Sequence, residues 1–370
     1  MSETSNDWQP DILGTGFEQL ALPLDDDSQG SVVATLIRYR PSSQSATAPN
    51  AAANGTTRLA SQDQPNAPAA KTNVLYVHGW SDYFFQTELA QFWHHAGANF
   101  YALDLRKYGR SLGPHQTPGY ITSLTTYDED IEAALKVIQT ENPESRLILN
   151  GHSTGGLTLS LWANRHPGVA DGLVLNSPWL EFQWKSRARM AISPFVNLSA
   201  KTRPGSPIPI VMPDFYARTV SFANEGLLEY NVDWRPSRGF AIYPAWLNAI
   251  FTAHSQVAEG LRIDCPALVL LSSKSLLHAR WSEDMNESDV ALDVDVVAHR
   301  ALSLGETVTV SRVPGAVHDI VLSPKSVRER GFAEITRWLG GYLPEPDAPA
   351  VVHQNHRPPR WQRVLHALRD

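Results

Sequence analysis

A short glycine-rich stretch near the middle of the chain places a serine where it could act as a nucleophile. Residues 151–155 read Gly-His-Ser-Thr-Gly, so Ser153 has a glycine two positions away on each side. The apolar run 147–149 predicts a buried strand before the serine, and Leu157 and Leu161 have helical spacing after it. A Gly-x-Ser-x-Gly between a strand and a helix is typical of a sharp turn that exposes the hydroxyl. We therefore interpret Ser153 as a nucleophile, in preference to a solvated serine in an ordinary glycine-rich turn.

A serine nucleophile needs a base, and the base needs a group that holds its tautomer. In a parallel sheet flanked by helices, the groups that meet a ligand follow the carboxyl ends of the strands. His318 comes directly after the last predicted strand and before the last predicted helix. Its place after the serine and after a carboxylate-rich loop matches the order serine, acid, histidine. We predict that His318 is the general base.

The acid has more than one candidate after the predicted strand at 267–271. The carboxylates that follow this strand are Glu283, Asp284, Glu287, Asp289, Asp293 and Asp295. Asp293 opens the next predicted helix, where a helix N-cap is an ordinary structural role. Asp289 precedes a short apolar turn and has no such role. Asp289 is therefore the preferred acid, and Asp293 is the alternative.

A tetrahedral intermediate on the serine would need backbone N–H donors around its oxyanion. Thr154 follows the nucleophile at a helix N-terminus, and we predict that its N–H is one donor. The loop after the predicted strand at 73–78 supplies the other, which we assign to Trp80 in His78-Gly79-Trp80. The chemistry requires no cofactor and no metal. The single cysteine, Cys265, also excludes an internal disulfide and a cysteine-ligated zinc.

The elements that must hold these residues alternate between strands and helices. This alternation predicts an α/β fold with a doubly wound, mostly parallel sheet. We assign residues 11–180 and 265–342 to this core. Thr126 and Glu129 have the spacing of a capping box, which predicts a helix start at that point.

Three segments depart from the alternating pattern. Residues 41–71 are rich in Pro, Ala, Ser and Asn, and predict a disordered insertion. Residues 181–264 are dense in aromatics and prolines, and predict an inserted cap over the edge of the sheet that carries the serine. Residues 343–370 predict a flexible tail with a short helix between Arg360 and Arg369. This helix suits docking on the body of the protein better than the weak peripheral contact with an anionic membrane that its arginines allow.

The bulk composition bounds the partners and the location of the chain. It has 370 residues, 42% of them hydrophobic, and a net charge of −7, which gives no electrostatic case for binding nucleic acid. No stretch approaches the roughly 18 apolar residues of a transmembrane helix. Residues 1–16 are polar and acidic, unlike a secretory signal, so a cytoplasmic location is expected. The oligomeric state is not indicated.

Four motifs together resemble the α/β-hydrolase superfamily, and within it the branch of monoacylglycerol lipases, lysophospholipases and serine aminopeptidases. They are His78-Gly79 after a strand, Asp104 to Ser111 (Asp-Leu-Arg-Lys-Tyr-Gly-Arg-Ser), Gly151 to Gly156 and the late His318. The likeness covers roughly residues 72–180 and 265–340. It implies Ser153 as nucleophile, His318 as base and Asp289 as acid.

The leading hypothesis is a serine carboxylic ester hydrolase that cleaves a small-molecule ester of an apolar acyl chain through an acyl-enzyme. The aromatic residues of the predicted cap favour the apolar chain. An acyltransferase and a non-catalytic ligand-binding protein on the same fold are alternatives. An aminopeptidase is another, and it would need a cap carboxylate for the free amine of its substrate, taken from Glu181, Asp214, Glu225, Glu229 and Asp233.

Overall fold

A computed structural model describes residues 7–41, 72–182, 185–210 and 212–343 of the chain. Between 185 and 191 the description is limited to the backbone. The predicted disordered insertion and the predicted tail therefore lie outside the described residues, apart from Pro41 and Leu343. Within the described chain, no helix has both the length and the hydropathy that spanning a membrane requires.

The fold is built on a nine-stranded sheet, counted over the described residues, in the order β1-β2-β3-β5-β4-β6-β7-β8-β9. Apolar runs form its central strands, as expected for strands that are covered on both faces. The strands are β1 Gln9–Pro10, β2 Phe17–Asp27, β3 Gly30–Tyr39, β4 Thr72–Val77, β5 Asn99–Asp104, β6 Arg146–His152, β7 Gly172–Asn176, β8 Ala267–Ser272 and β9 Val308–Val313.

Strands β4 to β9 pair in parallel, and β1, β2 and β3 form an antiparallel edge that joins the parallel part through β5. The predicted mostly parallel sheet is confirmed. Because β4 to β9 all run in the same direction, the loops after β6, β8 and β9 leave the sheet at the carboxyl ends of the strands. The serine, the acid loop and the histidine therefore lie at this end of the sheet.

Helices cover both faces of the sheet, which confirms the doubly wound prediction. Successive residues of β4 show this directly, since Leu75 and Val77 belong to one buried cluster and Val74 and Tyr76 to the other. The helices are α1 Thr87–His95, α2 Tyr127–Glu141, α3 Thr154–Arg165, α4 Lys185–Thr202, α5 Phe215–Ala223, α6 Pro244–Glu259, α7 Val294–Ala301 and α8 Lys325–Tyr342.

The capping box predicted from Thr126 and Glu129 is wrong. Thr126 has helical backbone angles and makes no capping bond with its side chain. The chain enters the helix one turn earlier, through a 3-10 turn at Leu124–Thr126 whose cap is Ser123. Glu129 instead accepts hydrogen bonds from Arg106 and from the backbone of Asp25, so long-range partners outweigh the local pattern.

Residues 181–264, called the insert below, join β7 to β8 and carry α4, α5 and α6. Helix α6 is well buried, with Trp246, Ile250 and Val257 in the main core cluster. It contacts α3, the helix that follows the serine turn. The insert therefore begins and ends at the sheet and rests on its body. Its action as a cap over a substrate stays a prediction.

Candidate active site

The turn that carries Ser153 is a tight one. Ser153 lies between the end of β6 and the start of α3, with φ of +50°, in a left-handed region that residues other than glycine rarely adopt. A side chain at Gly155 would collide with the carbonyl oxygens of Val77 and His78. A Cβ at Gly151 would lie 2.7 Å from the Cα of Gly156. The glycines are therefore required by close backbone approach, as the motif predicts.

The structure brings Ser153, His318 and Asp289 into one line of hydrogen bonds. Ser153 Oγ lies 3.1 Å from His318 Nε2, and His318 Nδ1 lies 2.9 Å from Asp289 Oδ2. Asp289 and His318 are 0% and 3% exposed, so water competes little for these contacts. The three residues come from loops after β6, β8 and β9. Their catalytic roles stay predictions.

The two candidate acids have different partners. The second oxygen of Asp289, Oδ1, accepts hydrogen bonds from the backbone N–H groups of Ala291 and Leu292, each at 2.8 Å. These bonds aim Oδ2 at His318. Asp293 caps α7, where its Oδ1 accepts from the N–H groups of the second and third helical residues. Thus Asp289 meets His318, and Asp293 has the structural contact of an N-cap.

The two predicted oxyanion donors lie beside the serine turn. Thr154 is the first residue of α3, so its N–H is among those that no carbonyl of the helix can accept. The loop after β4 passes so close that a Cβ at Gly79 would lie 3.1 Å from the Cβ of Ser153. Trp80 follows in this loop. The position of both residues is compatible with donation to an oxyanion on Ser153.

A buried polar network behind the histidine was not predicted from the sequence. Asp319 is fully buried, and its Oδ1 accepts hydrogen bonds from Asn176 Nδ2 at 2.7 Å and from the N–H of Val321 at 2.9 Å. Asn176 in turn accepts from the N–H of Ile320 at 3.2 Å. This network ties the His318 loop to the end of β7. The only signal in the sequence was that Asp319 directly follows His318.

A second imidazole lies next to His318. The rings of His152 and His318 have their centroids 5.0 Å apart, and His152 Nδ1 lies 3.1 Å from the carbonyl oxygen of Asn176. Burial lowers the pKa of His152 to about 4, against the opposing influence of Asp319. His152 is therefore neutral at physiological pH and places no positive charge beside His318.

The insert and the loop after β4, called the first loop below, place aromatic side chains around the site. The ring of Tyr216, on α5, meets the ring of His318 edge to face at 5.1 Å. Trp80 packs against Trp246 of α6 at 5.1 Å and against Phe240 at 6.3 Å. The backbone N–H of Trp179 donates to the carbonyl oxygen of Ser153 at 2.9 Å. Apolar surface thus lies next to the serine turn on the insert side.

Among the residues that the structure describes, no group of three or more His, Cys, Asp or Glu side chains is arranged to hold a metal ion. The side chains around Ser153 are instead linked by hydrogen bonds to one another.

A mostly parallel sheet with helices on both faces and a serine turn between β6 and α3 defines an α/β-hydrolase fold. The family model described as "Serine aminopeptidase, S33" (Hydrolase_4) matches residues 68–282, more than half of the chain, and the chain belongs to this family. The resemblance inferred from the four sequence motifs is thereby confirmed.

Individual relatives agree with this assignment. The chain is 25% identical to a monoacylglycerol lipase of Mycolicibacterium smegmatis over 73% of its own length and 88% of that protein. It is 31% identical to lysophospholipase L2 of Escherichia coli over 26% of its length and 29% of that protein. The crystal structure of Paleococcus ferrophilus monoacylglycerol lipase shares the fold, with a TM-score of 0.51 and 21% identity over 73% of this chain and 94% of that one. The chain is an α/β-hydrolase of the lipase and esterase type.

Proposed function

We propose that the chain is a serine carboxylic ester hydrolase that cleaves esters of apolar acyl chains through an acyl-enzyme on Ser153. The observation that carries the proposal is the pair of contacts from Ser153 Oγ to His318 Nε2 and from His318 Nδ1 to Asp289. A serine hydroxyl becomes an effective nucleophile when a base within hydrogen-bond reach takes its proton. The similarity to a monoacylglycerol lipase supports an ester as the substrate.

We place the ring proton of the resting His318 on Nδ1. An ionised carboxylate only accepts hydrogen bonds, so the contact with Asp289 Oδ2 requires the proton on Nδ1. Nε2 then presents a lone pair to the hydroxyl of Ser153, 3.1 Å away. When Nε2 takes the hydroxyl proton, the imidazolium forms beside the Asp289 charge, which stabilises it. Asp289 itself is held by two backbone N–H groups.

The reaction then proceeds in two halves, acylation of Ser153 and hydrolysis of the acyl-enzyme. Ser153 Oγ bonds to the ester carbonyl carbon as its proton moves to His318 Nε2, and the carbonyl oxygen becomes an oxyanion. The N–H groups of Trp80 and Thr154 are the proposed donors to it. When this tetrahedral intermediate collapses, the bond between the carbonyl carbon and the alkoxy oxygen breaks. The alcohol leaves with the proton from Nε2. Water repeats the sequence on the acyl-enzyme and releases the carboxylic acid.

The surroundings of the serine turn support an apolar acyl chain. Trp246 packs between two other indoles, with its ring centroid 5.1 Å from that of Trp80 and 6.2 Å from that of Trp179. The backbone N–H of Trp179 also donates to the carbonyl oxygen of Ser153, which holds this residue next to the serine turn. An acyl chain that leaves the carbonyl carbon on the insert side would meet these indole rings. Each methylene buried there gains about 0.8 kcal/mol.

The first test is covalent labelling. A fluorophosphonate probe is expected to label the protein at Ser153, as located by mass spectrometry of its peptides. The variant Ser153→Ala should lose both the label and several orders of magnitude of turnover. Ser177, which also has positive φ at the end of a strand, offers a matched control. Ser177→Ala should keep the label, and labelling that survives Ser153→Ala would refute the nucleophile.

The second arm of the test defines the substrate. For p-nitrophenyl esters, kcat/KM should rise from acetate toward medium chains, by a few-fold at most for each added methylene. An acetate optimum would contradict the apolar acyl chain. An aminoacyl amide preferred over every ester would replace the proposal with an aminopeptidase. Of the carboxylates considered for that reaction, Glu181 is already held by Arg300 at 2.7 Å.

A further inference from the structure

We infer that Tyr216 is a positioning residue for His318, and that a buried ion pair between the insert and the first loop anchors it there. Tyr216 is on α5, in the insert, whereas His318 is on the loop after β9. Their rings meet edge to face with centroids 5.1 Å apart and an interplanar angle of 81°. The inference rests on the proposed role of His318 as the general base.

The ring of Tyr216 adds to the contacts that three other side chains make with His318. Asp289 binds Nδ1, Ser153 faces Nε2, and the ring of His152 packs at 5.0 Å. An imidazole held only at its two nitrogens can still rock about the line that joins them. Edge-to-face contact with a ring restricts this motion and has a preferred geometry. Tyr216 thus helps to keep Nε2 aimed at the serine hydroxyl.

The hydroxyl of Tyr216 acts on the neighbouring histidine. Because a backbone carbonyl only accepts, the contact of His152 Nδ1 with the oxygen of Asn176 requires the proton on Nδ1. His152 Nε2 is then an acceptor, and the Tyr216 hydroxyl, 3.4 Å away, donates to it. Tyr216 therefore contacts both imidazoles, the one proposed to take a proton and the one kept neutral by burial.

An ion pair fixes Tyr216 to the body of the protein. Arg235, also in the insert, places its guanidinium 5.0 Å from the centroid of the Tyr216 ring. Its Nε lies 3.0 Å from Asp82 Oδ1, in the loop after β4. Arg235 and Asp82 are 4% and 2% exposed. Burial raises the pKa of Asp82 to about 7 against the opposing influence of Arg235, so both groups are fully charged only above neutral pH. There the pair is costly to break, because either charge would be left without compensation.

The guanidinium is enclosed by aromatic rings as well. It lies 5.0 Å from the centroid of Tyr230 and 5.5 Å from that of Phe85. A planar guanidinium can stack on such rings, whereas the compact ammonium of a lysine offers less contact area. Arg235 therefore joins three elements at one point, namely α5, the segment after it and the loop after β4. Since Arg235 contacts Tyr216 and Tyr216 contacts His318, the position of the insert affects the orientation of His318.

The experiment measures the labelling rate of Ser153 by a fluorophosphonate together with kcat and KM for a p-nitrophenyl ester. Tyr216→Leu should lower the labelling rate and kcat about tenfold with KM within about twofold of wild type, because the base is misaligned and the substrate site is kept. Tyr216→Phe retains the ring and should recover most of kcat. The acidic limb of kcat/KM should move to higher pH in Tyr216→Leu, since water then reaches the imidazolium and stabilises its charge.

Tyr243 provides a matched control. It is also a tyrosine of the insert, and it makes the same edge-to-face contact, at 5.5 Å, with Tyr120 in place of His318. Tyr243→Leu should leave the labelling rate and the pH profile unchanged at comparable loss of stability. Equal effects of Tyr243→Leu and Tyr216→Leu would overturn the inference. If Tyr216→Leu does not fold, Tyr216→Met replaces it.

The anchor is tested by a double-mutant cycle. Arg235→Lys should slow labelling several-fold, and it should add little in the Tyr216→Leu background because the ring through which it acts is absent. Additive losses would refute the coupling between Arg235 and Tyr216. The wild-type protein separates the two proposals. Absence of label at Ser153 in wild type would refute the proposed function, whereas labelling of wild type and Tyr216→Leu at one rate would refute the positioning role alone.

Discussion

Asp289 and Asp293 lie close together in the sequence, but they are bound in different ways. Asp289→Asn keeps the shape of the side chain and removes the charge that supports the imidazolium of His318. Turnover is expected to fall by about three to four orders of magnitude, with little change in melting temperature. The measurement is kcat for a p-nitrophenyl ester, with the extent of folding checked by circular dichroism.

The N-cap aspartate is the natural control for this variant. Asp293→Ala removes the hydrogen bonds to the first turn of α7 and should cost about 1 kcal/mol of stability. Its turnover should stay near that of wild type. A loss of turnover in Asp293→Ala, with activity retained in Asp289→Asn, would show that the acid is assigned to the wrong carboxylate.

The buried His152 predicts a particular pH dependence of stability. Its pKa is about 4 when folded and about 6.5 when unfolded, so between these values the unfolded state binds a proton that the folded state excludes. Stability therefore falls as pH decreases from 6.5 toward 4. In His152→Asn the free energy of unfolding should fall by about 2 kcal/mol less than in wild type between pH 7.5 and pH 5.

Urea unfolding at the two pH values measures this difference. Burial raises the pKa of Asp82 to about 7, and that carboxyl has the opposite effect because its folded form binds the extra proton. Asp82 is present in both proteins, so its effect cancels in the comparison. Equal losses of stability in wild type and His152→Asn would contradict the prediction and would mean that His152 accepts a proton without unfolding.

Among single residues, the sequence indicates those that follow strands and misses those that support them. Ser153, His318 and Asp289 could be proposed because each occupies a distinctive position after a predicted strand. Asp319 and Tyr216 could not, since each contacts the site through a long-range arrangement. No spacing along the chain relates Tyr216, in an insert without a recognisable pattern, to a histidine about one hundred residues later.

Among the elements, α3 depends on a glycine for its approach to β4. Gly155→Ala places a methyl group against the carbonyl oxygens of Val77 and His78, which are fixed in the central sheet. The backbone must shift, and we expect a loss of about 3 kcal/mol of stability. Labelling of Ser153 should also slow strongly, because the serine turn and the first loop meet at this contact.

A second helical glycine gives the matched comparison. Gly340 is near the end of α8, and a Cβ at this position would have no heavy atom within 4 Å. Gly340→Ala should stabilise the protein by about 0.5 kcal/mol, since alanine loses less backbone entropy on folding. Thermal unfolding of the two variants tests the pair. Similar effects on melting temperature would show that close packing at Gly155 is not limiting.

The elements themselves were predictable where one local pattern dominated. Buried strands such as β4 and β8 are compact apolar runs, and the helices between them have apolar residues at helical spacing. Local patterns failed where distant groups compete for the same side chain. Glu129 satisfies the spacing of a capping box, yet a buried arginine and a strand backbone bind it more effectively than the helix start does.

For the whole molecule, strand order is the feature that sequence alone does not give. Chain order would suggest β4 beside β3, but β5 lies between them. Arg38 of β3 and Leu75 of β4 both pair with Tyr101 of β5, so the three residues lie in one row across the sheet. Because β3 runs antiparallel to β5 and β4 runs parallel to it, the end of β3 and the start of β4 lie at the same end of the sheet.

This row determines how short the connection between β3 and β4 can be. Neighbouring strands are about 4.8 Å apart, so Pro41 and Thr72 are separated by about two strand spacings, or 10 Å. A linker of about six residues spans roughly 20 Å when extended and can pass around the end of β5. Residues 42–71 contain few large apolar side chains, so their composition predicts no contribution to a core.

Replacement of residues 42–71 by about six Gly and Ser residues should therefore leave the labelling rate of Ser153 unchanged. The melting temperature should be unchanged or slightly higher, because closing a loop about five times shorter costs about 1.4 kcal/mol less entropy. A Gly-Ser linker of the native length is the control, and it should match wild type in both measurements. Loss of labelling in both replacements would show that the native residues 42–71 contact the site, and loss in the short one alone would show that the strand ends need more than the spacing of the sheet provides.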